Sequence, residues 1–340
     1  MQIAVFRALK GLGDLLCLVP ALRALRLARP GARITLVGLV EARPFVERFA
    51  HYLDDMLEFP GWPGMPERTP QARQIPAFLF EAQARSFDLA LQLHGNGTAF
   101  NPVTILLGAA NTGGFYQPGF YCPDPSRFLI YHEHESEVRR CLRLVEHLGF
   151  PAQGDTLEFP LNNNDLQEFA QLVENCGIQP GNYACLHPGA STFERRWSVA
   201  QFAAIGDALA RRGLQVLLTG LKNEASLTKR VAAAMKSPVV NLAGLTSLGS
   251  MAALLKNSRL LVCNDTGVSH LAAALEVPSI VIFTNSDPSK WAPLNRQLHR
   301  AIVIPGGGIF YKTGEHELVV DQILAEADEL LRPEGLAFLK

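Results

Sequence analysis

Short apolar runs alternate along this chain with longer stretches whose apolar residues recur every three to four positions. Runs of the first kind read as strands buried on both faces, and the second as amphipathic helices. In the first half, Gln2–Arg7 reads as a strand, Ala8–Gly13 as a glycine-bearing loop and Asp14–Arg29 as a helix. Pro20 falls inside that helix and marks a kink or a late start. Arg33–Gly38 is the next strand and Glu41–Ala50 the next helix, while Pro60–Pro66 is too rich in proline and glycine for either and reads as a surface loop. Ile75–Arg85 reads as a helix and Phe87–Leu93 as a strand ending at His94-Gly95-Asn96-Gly97. A helix near Pro102–Leu107, a loop-rich stretch over Asn111–Arg127 and a helix from about Glu135 to Leu148 follow.

Gly149–Asn164, with two prolines and three asparagines, reads as a linker. Beyond it the pattern predicts helices over 165–175, 199–211, 223–235, 247–256 and 267–275. The strands between them fall at 183–187, 214–219, 238–241, 259–263 and 278–283. Strands separated by helical runs mean βαβ units and parallel sheets. The expected architecture is therefore α/β, with two doubly wound Rossmann-like domains, 1–155 and 156–340, facing across a cleft. A last helix is free to pack back on the first domain. In such folds ligands bind beyond the carboxyl ends of the strands.

Composition narrows the partners. The 340 residues carry 31 basic and 32 acidic side chains, a formal net charge of −1, so no basic field exists to hold nucleic acid. Six scattered cysteines without a C-x-x-C pair argue against a disulfide framework and a thiolate zinc site, and for a reducing compartment. The amino terminus opens as a strand rather than a signal sequence, and no apolar run reaches the ~18 residues that span a bilayer. The expected location is cytoplasmic, with peripheral contact at the inner membrane face if the acceptor is lipid-linked.

Candidate chemistry lies at the strand ends. His187-Pro188-Gly189-Ala190-Ser191-Thr192-Phe193-Glu194-Arg195-Arg196-Trp197 joins a strand to a helix through small residues and two adjacent arginines, an anion site or an ordinary βα turn. Gly11-Leu12-Gly13-Asp14 is a poor dinucleotide fingerprint, because Leu16 stands where a third glycine is needed and the second strand ends without an acid. Asp14 is either a helix cap or a general base toward a substrate hydroxyl. In Asn264-Asp265-Thr266-Gly267-Val268-Ser269-His270, a phosphate would sit on the N–H groups of Thr266 and Gly267, with Asp265 turned to hydroxyls or the helix end and His270 either packing or lining. Glu224 reads as a holder of a sugar hydroxyl or a helix start, and Thr246-Ser247 as a helix cap able to line a nucleotide pocket. His132-Glu133-His134-Glu135 looks like a metal cluster but lacks an obvious third and fourth ligand, and the chain has no D-x-D pair. Without a metal, a diphosphate must be met by Arg195 and Arg196, then Lys222, and by helix N-termini.

Taken in order, these stretches resemble glycosyltransferase family 9, the lipopolysaccharide heptosyltransferases and their relatives. The resemblance rests on Gly13-Asp14-Leu15 with Pro20-Ala21-Leu22, Asp88–His94, His187–Ala190 with Arg195-Arg196-Trp197, and Gly220 with Glu224. It continues through Asn241–Gly244 with Thr246-Ser247-Leu248, and Asn264–Gly267 with His270–Ala274. It implies a GT-B fold and an inverting, metal-independent transfer from a nucleotide-diphosphate sugar, with no cofactor. It makes Asp14, beside Gly13, the general base on the acceptor side. Arg195 stands where family members carry a diphosphate-binding lysine. Ser191, Thr192, Arg196, Glu224, Thr246, Ser247, Asp265, Thr266, Gly267 and His270 fall around the donor, and Gln92, His94 and Asn96 on the acceptor side. Heptose on ADP is the family's best-known donor, and the acceptor would be a cell-envelope glycan or glycolipid. A nucleotide-sugar-binding protein without catalysis and a nucleotide-sugar epimerase are the alternative readings on the same fold.

Overall fold

The computed structural model describes residues 1–304 and 315–332. It divides into two units, Met1–Asp155 and Thr156–Lys340. In the first, β1 (Gln2–Phe6) buries Ile3 through Phe6 because it lies between two parallel neighbours, β2 (Arg33–Gly38) and β4 (Leu89–Gln92). With β3 (Asp55–Glu58), β5 (Asn111–Tyr116) and β6 (Phe128–Ile130) the sheet runs β3-β2-β1-β4-β5-β6. The second unit repeats this order with β7 (Tyr183–His187), β8 (Gln215–Leu218), β9 (Val240–Asn241), β10 (Leu260–Asn264), β11 (Ser279–Phe283) and β12 (His299–Val303), as β12-β11-β10-β7-β8-β9. In each sheet the strand order reverses between the first and fourth strands, which opens a crevice at their carboxyl ends. The residues just after β1 and β4, and after β7 and β10, are thereby placed to form sites.

Six helices connect the first sheet: α1 (Leu12–Leu16), α2 (Val19–Ala28), α3 (Arg43–Arg48), α4 (Ile75–Ala84), α5 (Asn101–Leu106) and α6 (Glu137–His147). The second unit carries α7 (Asn163–Cys176), α8 (Val199–Arg211), α9 (Ala225–Ala234), α10 (Leu248–Lys256), α11 (Gly267–Ala274), α12 (Pro288–Trp291) and α13 (Glu315–Leu331). The one helix expected over Asp14–Arg29 is two, broken at Cys17-Leu18, with Pro20 in the first turn of α2 where its missing N–H leaves no bond unmade. The loop expected over Asn111–Arg127 begins with a strand, β5. Its Gly113-Gly114 hides the strand pattern, yet bulk is excluded there: a Cβ on Gly114 would meet Gln92 at 2.7 Å and the Phe128 ring at 2.9 Å.

The first core gathers Phe6, Val37, Leu57, Phe59, Phe78, Phe87 and Phe100. The second packs Leu186, Val216, Val262 and Ile280 against Phe202 and Ile205 of α8 and against Ile323, Ala327 and Leu330 of α13. This last helix, which the sequence left free to return to the first unit, thus lends its apolar side to the second unit's core. Among the described residues no helix is long and apolar enough to cross a membrane.

Candidate active site

In the second unit, the loop after β7 leaves the sheet at His187 and re-enters regular structure at α8. Its glycine is sterically required. A Cβ on Gly189 would lie 2.2 Å from a carboxylate oxygen of Glu224, so glycine lets that carboxylate rest against the backbone. Glu224 is buried at the end of the loop after β8; it accepts from the Leu221 N–H at 2.8 Å and lies 3.9 Å from His187 Nε2. Burial holds His187 below its ordinary pKa, with Glu224 pulling the other way. The opposite ring nitrogen, Nδ1, faces the Thr219 hydroxyl at 3.0 Å.

Arg195 ends a short 3-10 turn, Phe193–Arg195, and reaches to 3.7 Å from Asp265 Oδ2. Asp265 is buried and that oxygen has no hydrogen-bond partner among the described residues. Thr266 caps the N-terminus of α11 with extended backbone, and Gly267 is its first residue. The Ser269 N–H bonds the Thr266 carbonyl at 3.0 Å, whereas N–H groups at the very start of a helix lack an acceptor four residues back, and such groups beside the Arg195 guanidinium favour negative charge. His270, also buried, sets its ring edge-on to Trp291 at 6.3 Å.

Other expected donor residues are placed differently. Arg196 spends Nε and an Nη on the Ala190 carbonyl, at 3.0 and 2.9 Å, and so braces its own loop. Ser247 caps α10 through the Ser250 N–H at 3.1 Å and also donates to Glu168 of α7, the structural role open to it. Thr246 is half-buried beside it, Lys222 is exposed, and Ser191 and Thr192 lie on the exposed tip of the loop. Asn264, the last residue of β10, was legible only as part of a motif. It is fully buried and holds both ends of the loop, donating to Pro188 O at 2.8 Å and accepting from Trp197 N–H at 3.0 Å.

In the first unit, Gly11 rather than Asp14 is the N-cap of α1, and Asp14 lies in the first turn with its side chain 24% exposed. Gly13 beside it is buried. Below them Arg7 is fully buried. It donates from Nε to the Asp14 carbonyl at 2.8 Å and from Nη1 to Leu93 O at 2.6 Å and Glu137 at 3.0 Å, with Nη2 4.0 Å from the Asp14 carboxylate. Glu137 also bonds Arg140, whose Nη2 donates to the His132 and Glu135 carbonyls at 2.7 and 2.8 Å. The Glu135 carboxylate pairs with Arg143 at 2.8 Å, and Glu133 accepts from Gln117 at 3.1 Å. Among the described residues no group of three or more His, Cys, Asp or Glu stands where it could hold a metal ion.

The residues expected on the acceptor side lie after β4 and are largely engaged within their own unit. Gln92 is fully buried, and its amide links the His94 carbonyl at 2.5 Å to the Phe115 N–H at 3.4 Å. His94 is buried as well; its Nδ1 accepts from the Ala8 N–H at 3.1 Å, which assigns the ring proton to Nε2, 3.8 Å from Glu67. Burial, assisted by the nearby Arg7 charge, pushes its pKa down to about 3. Both side chains are buried and bonded to the backbone around the end of β4. Asn96 is half-buried and closes a turn by accepting from the Thr98 N–H at 3.1 Å.

Comparison with known proteins converges on one family. Residues 127–305 match the family described as "Glycosyltransferase family 9 (heptosyltransferase)". The chain is 31% identical over 298 residues to lipopolysaccharide heptosyltransferase 3 of Escherichia coli, covering 84% of each. It is 28% identical over 152 residues to lipooligosaccharide heptosyltransferase 2 of Haemophilus ducreyi, a match spanning 40% of this chain and 44% of that protein. The structure of E. coli ADP-heptose lps heptosyltransferase II superposes with a TM-score of 0.74 at 20% identity, over 97% of this chain and 98% of that one. The repeated strand order and this likeness identify the fold as GT-B, built from two Rossmann-like units. The chain belongs to glycosyltransferase family 9 and is a glycosyltransferase.

Proposed function

We propose that this enzyme transfers heptose from ADP-heptose to a hydroxyl of a lipopolysaccharide-type acceptor, with inversion and without a metal ion. The observation that carries the donor half is Arg195 standing 3.7 Å from the buried Asp265, beside the N-terminus of α11. A guanidinium and first-turn amides neutralise a departing diphosphate where a divalent ion otherwise would. The names of the relatives supply the sugar: the aligned proteins are heptosyltransferases, and one superposed structure is named for ADP-heptose.

Asp14 supplies the other half. The acceptor oxygen attacks the anomeric carbon and its proton passes to the Asp14 carboxylate. The bond from that carbon to the diphosphate oxygen breaks with its electron pair, and ADP leaves toward Arg195. One displacement of this kind inverts the anomeric centre. Partial exposure leaves the carboxylate accessible, while Arg7 fixes the backbone beneath it. The acceptor's lipid would bring the enzyme to the cytoplasmic face of the membrane as a peripheral visitor.

The test is transfer from ADP-heptose, in EDTA, to lipopolysaccharide truncated before its heptose, with the product linkage read by NMR. Metal-free transfer with inverted configuration is expected. Release of heptose without an acceptor product, retention of configuration, or strict need for a divalent ion would each contradict the proposal.

A further inference from the structure

The loop after β7 has almost no regular structure of its own, yet it is held along its length by side chains from two other strands. Asn264, at the end of β10, closes both ends with one amide, donating to Pro188 O and accepting from Trp197 N–H. Thr284, the residue after β11 and itself buried, donates its hydroxyl to the Glu194 carbonyl at 2.7 Å. Arg196 clasps the Ala190 carbonyl from within. What stands outside these bonds is the tip, Ser191–Phe193, with Phe193 72% exposed.

The sheet does not need these bonds, since β10 and β11 already pair through their backbones from Leu261↔Ser279 to Asn264↔Ile282. Only a side-chain amide offers a donor and an acceptor in one plane at this size; an aspartate cannot donate and a leucine does neither. A loop that must order itself around an anion loses affinity to the entropy of ordering, and one already fixed does not.

We infer that Asn264 and Thr284 are positioning residues for the donor: neither touches it, and together they hold the loop so that Arg195 stands beside Asp265 before the diphosphate arrives. The inference rests on the reading that Arg195 receives that diphosphate. It goes further in assigning affinity to two side chains that act only through the loop.

The experiment compares wild type with Thr284→Val, Thr284→Ser and Asn264→Ala by calorimetric titration with ADP in EDTA. Amide exchange of the free proteins at Arg195 and Arg196, whose N–H groups bond Thr192 and Phe193 carbonyls, is followed in parallel. Thr284→Val keeps the shape and removes the bond, and should bind ADP about three- to tenfold more weakly at unchanged stoichiometry, with faster exchange. Thr284→Ser keeps the hydroxyl and should restore both. Asn264→Ala should lose at least as much; if it does not fold, the two Thr284 variants decide alone. A purely structural role would lower the melting temperature while leaving affinity per folded molecule intact. Thr284→Val binding ADP as wild type does, with an equally protected loop, overturns the inference and leaves Arg195's role standing. Wild type and Arg195→Ala binding ADP equally well, or neither binding it, removes the underlying reading and the inference with it.

Discussion

The two units share a strand order and so present the same crevice, one beside β1 and β4 and the other beside β7 and β10, but they fill it in opposite ways. In the first, charge is turned inward: Arg7 and Arg140 share Glu137 in the core, and the surplus positive charge is met by the carbonyls of Asp14, Leu93, His132 and Glu135. In the second, glycine and small residues leave room, and Arg195 stands 35% exposed beside an N-terminus. Buried ion clusters give back in Coulomb energy and hydrogen bonds roughly what desolvation costs, so their contribution is to fix geometry. The first crevice therefore holds one carboxylate, Asp14, in a locked seat, and the second is the one proposed to receive an anion. On the proposed mechanism, the same topology would serve proton transfer in one copy and leaving-group stabilisation in the other.

The comparison can be broken in several places. Asp14→Ala should reduce transfer by about 10²–10⁴-fold in steady-state assays, because one general base is removed; near-normal turnover would take the catalytic half away from the first crevice. Glu137→Ala strands two buried guanidinium groups and should cost about 3–5 kcal/mol in urea unfolding, whereas a loss under about 1 kcal/mol would mean the lock is not one. Arg195→Ala removes a charged donor from the cradle and should raise the donor KM, with a loss of about 1.5–3 kcal/mol in kcat/KM. Gly189→Ala pushes a methyl group into Glu224 and should cost about 1–3 kcal/mol, read as lower stability and weaker ADP binding together.

A further effect is in pH. His94 has a folded-state pKa of about 3 against an ordinary 6.5, and His299 in the second unit about 4, both lowered first by burial. The folded protein then binds fewer protons than the unfolded chain at intermediate pH. The stability each contributes is fully present above pH 6.5 and is lost as pH falls toward the folded-state value, by at most about 1.4 kcal/mol per unit per site. His94→Asn, which keeps an acceptor for the Ala8 N–H, should flatten the fall of melting temperature between about pH 6 and 4. An unchanged slope would show that this histidine does not set it.

How much of this was legible in the sequence follows from range. Elements with strong periodicity, such as α8 and β7, stand where the pattern predicts them, whereas β5 was hidden by glycines that its neighbours Gln92 and Phe128 require. The short edge strand β3, the three-residue β6 and the outer strand β12 carry too little pattern to be read alone. In the site, residue type located the chemistry but not the direction of each side chain. Arg196, Ser247, Gln92 and His94 read as ligand contacts, and the structure gives each a bond to the chain's own backbone or to helix α7 that residue type alone does not announce. The structural role of Arg7 went unread, and that of Asn264 was hidden within its motif, for the converse reason: their partners, Glu137 and Pro188, are distant in sequence.

One measurement tests the division of labour most directly: calorimetric titration of wild type, Asp14→Asn and Arg195→Ala with ADP in EDTA. The account predicts that Asp14→Asn binds ADP as wild type does while its transfer collapses, and that Arg195→Ala loses binding. Weakened ADP binding by Asp14→Asn together with undiminished binding by Arg195→Ala would contradict it, placing the anion at the first crevice instead of the second.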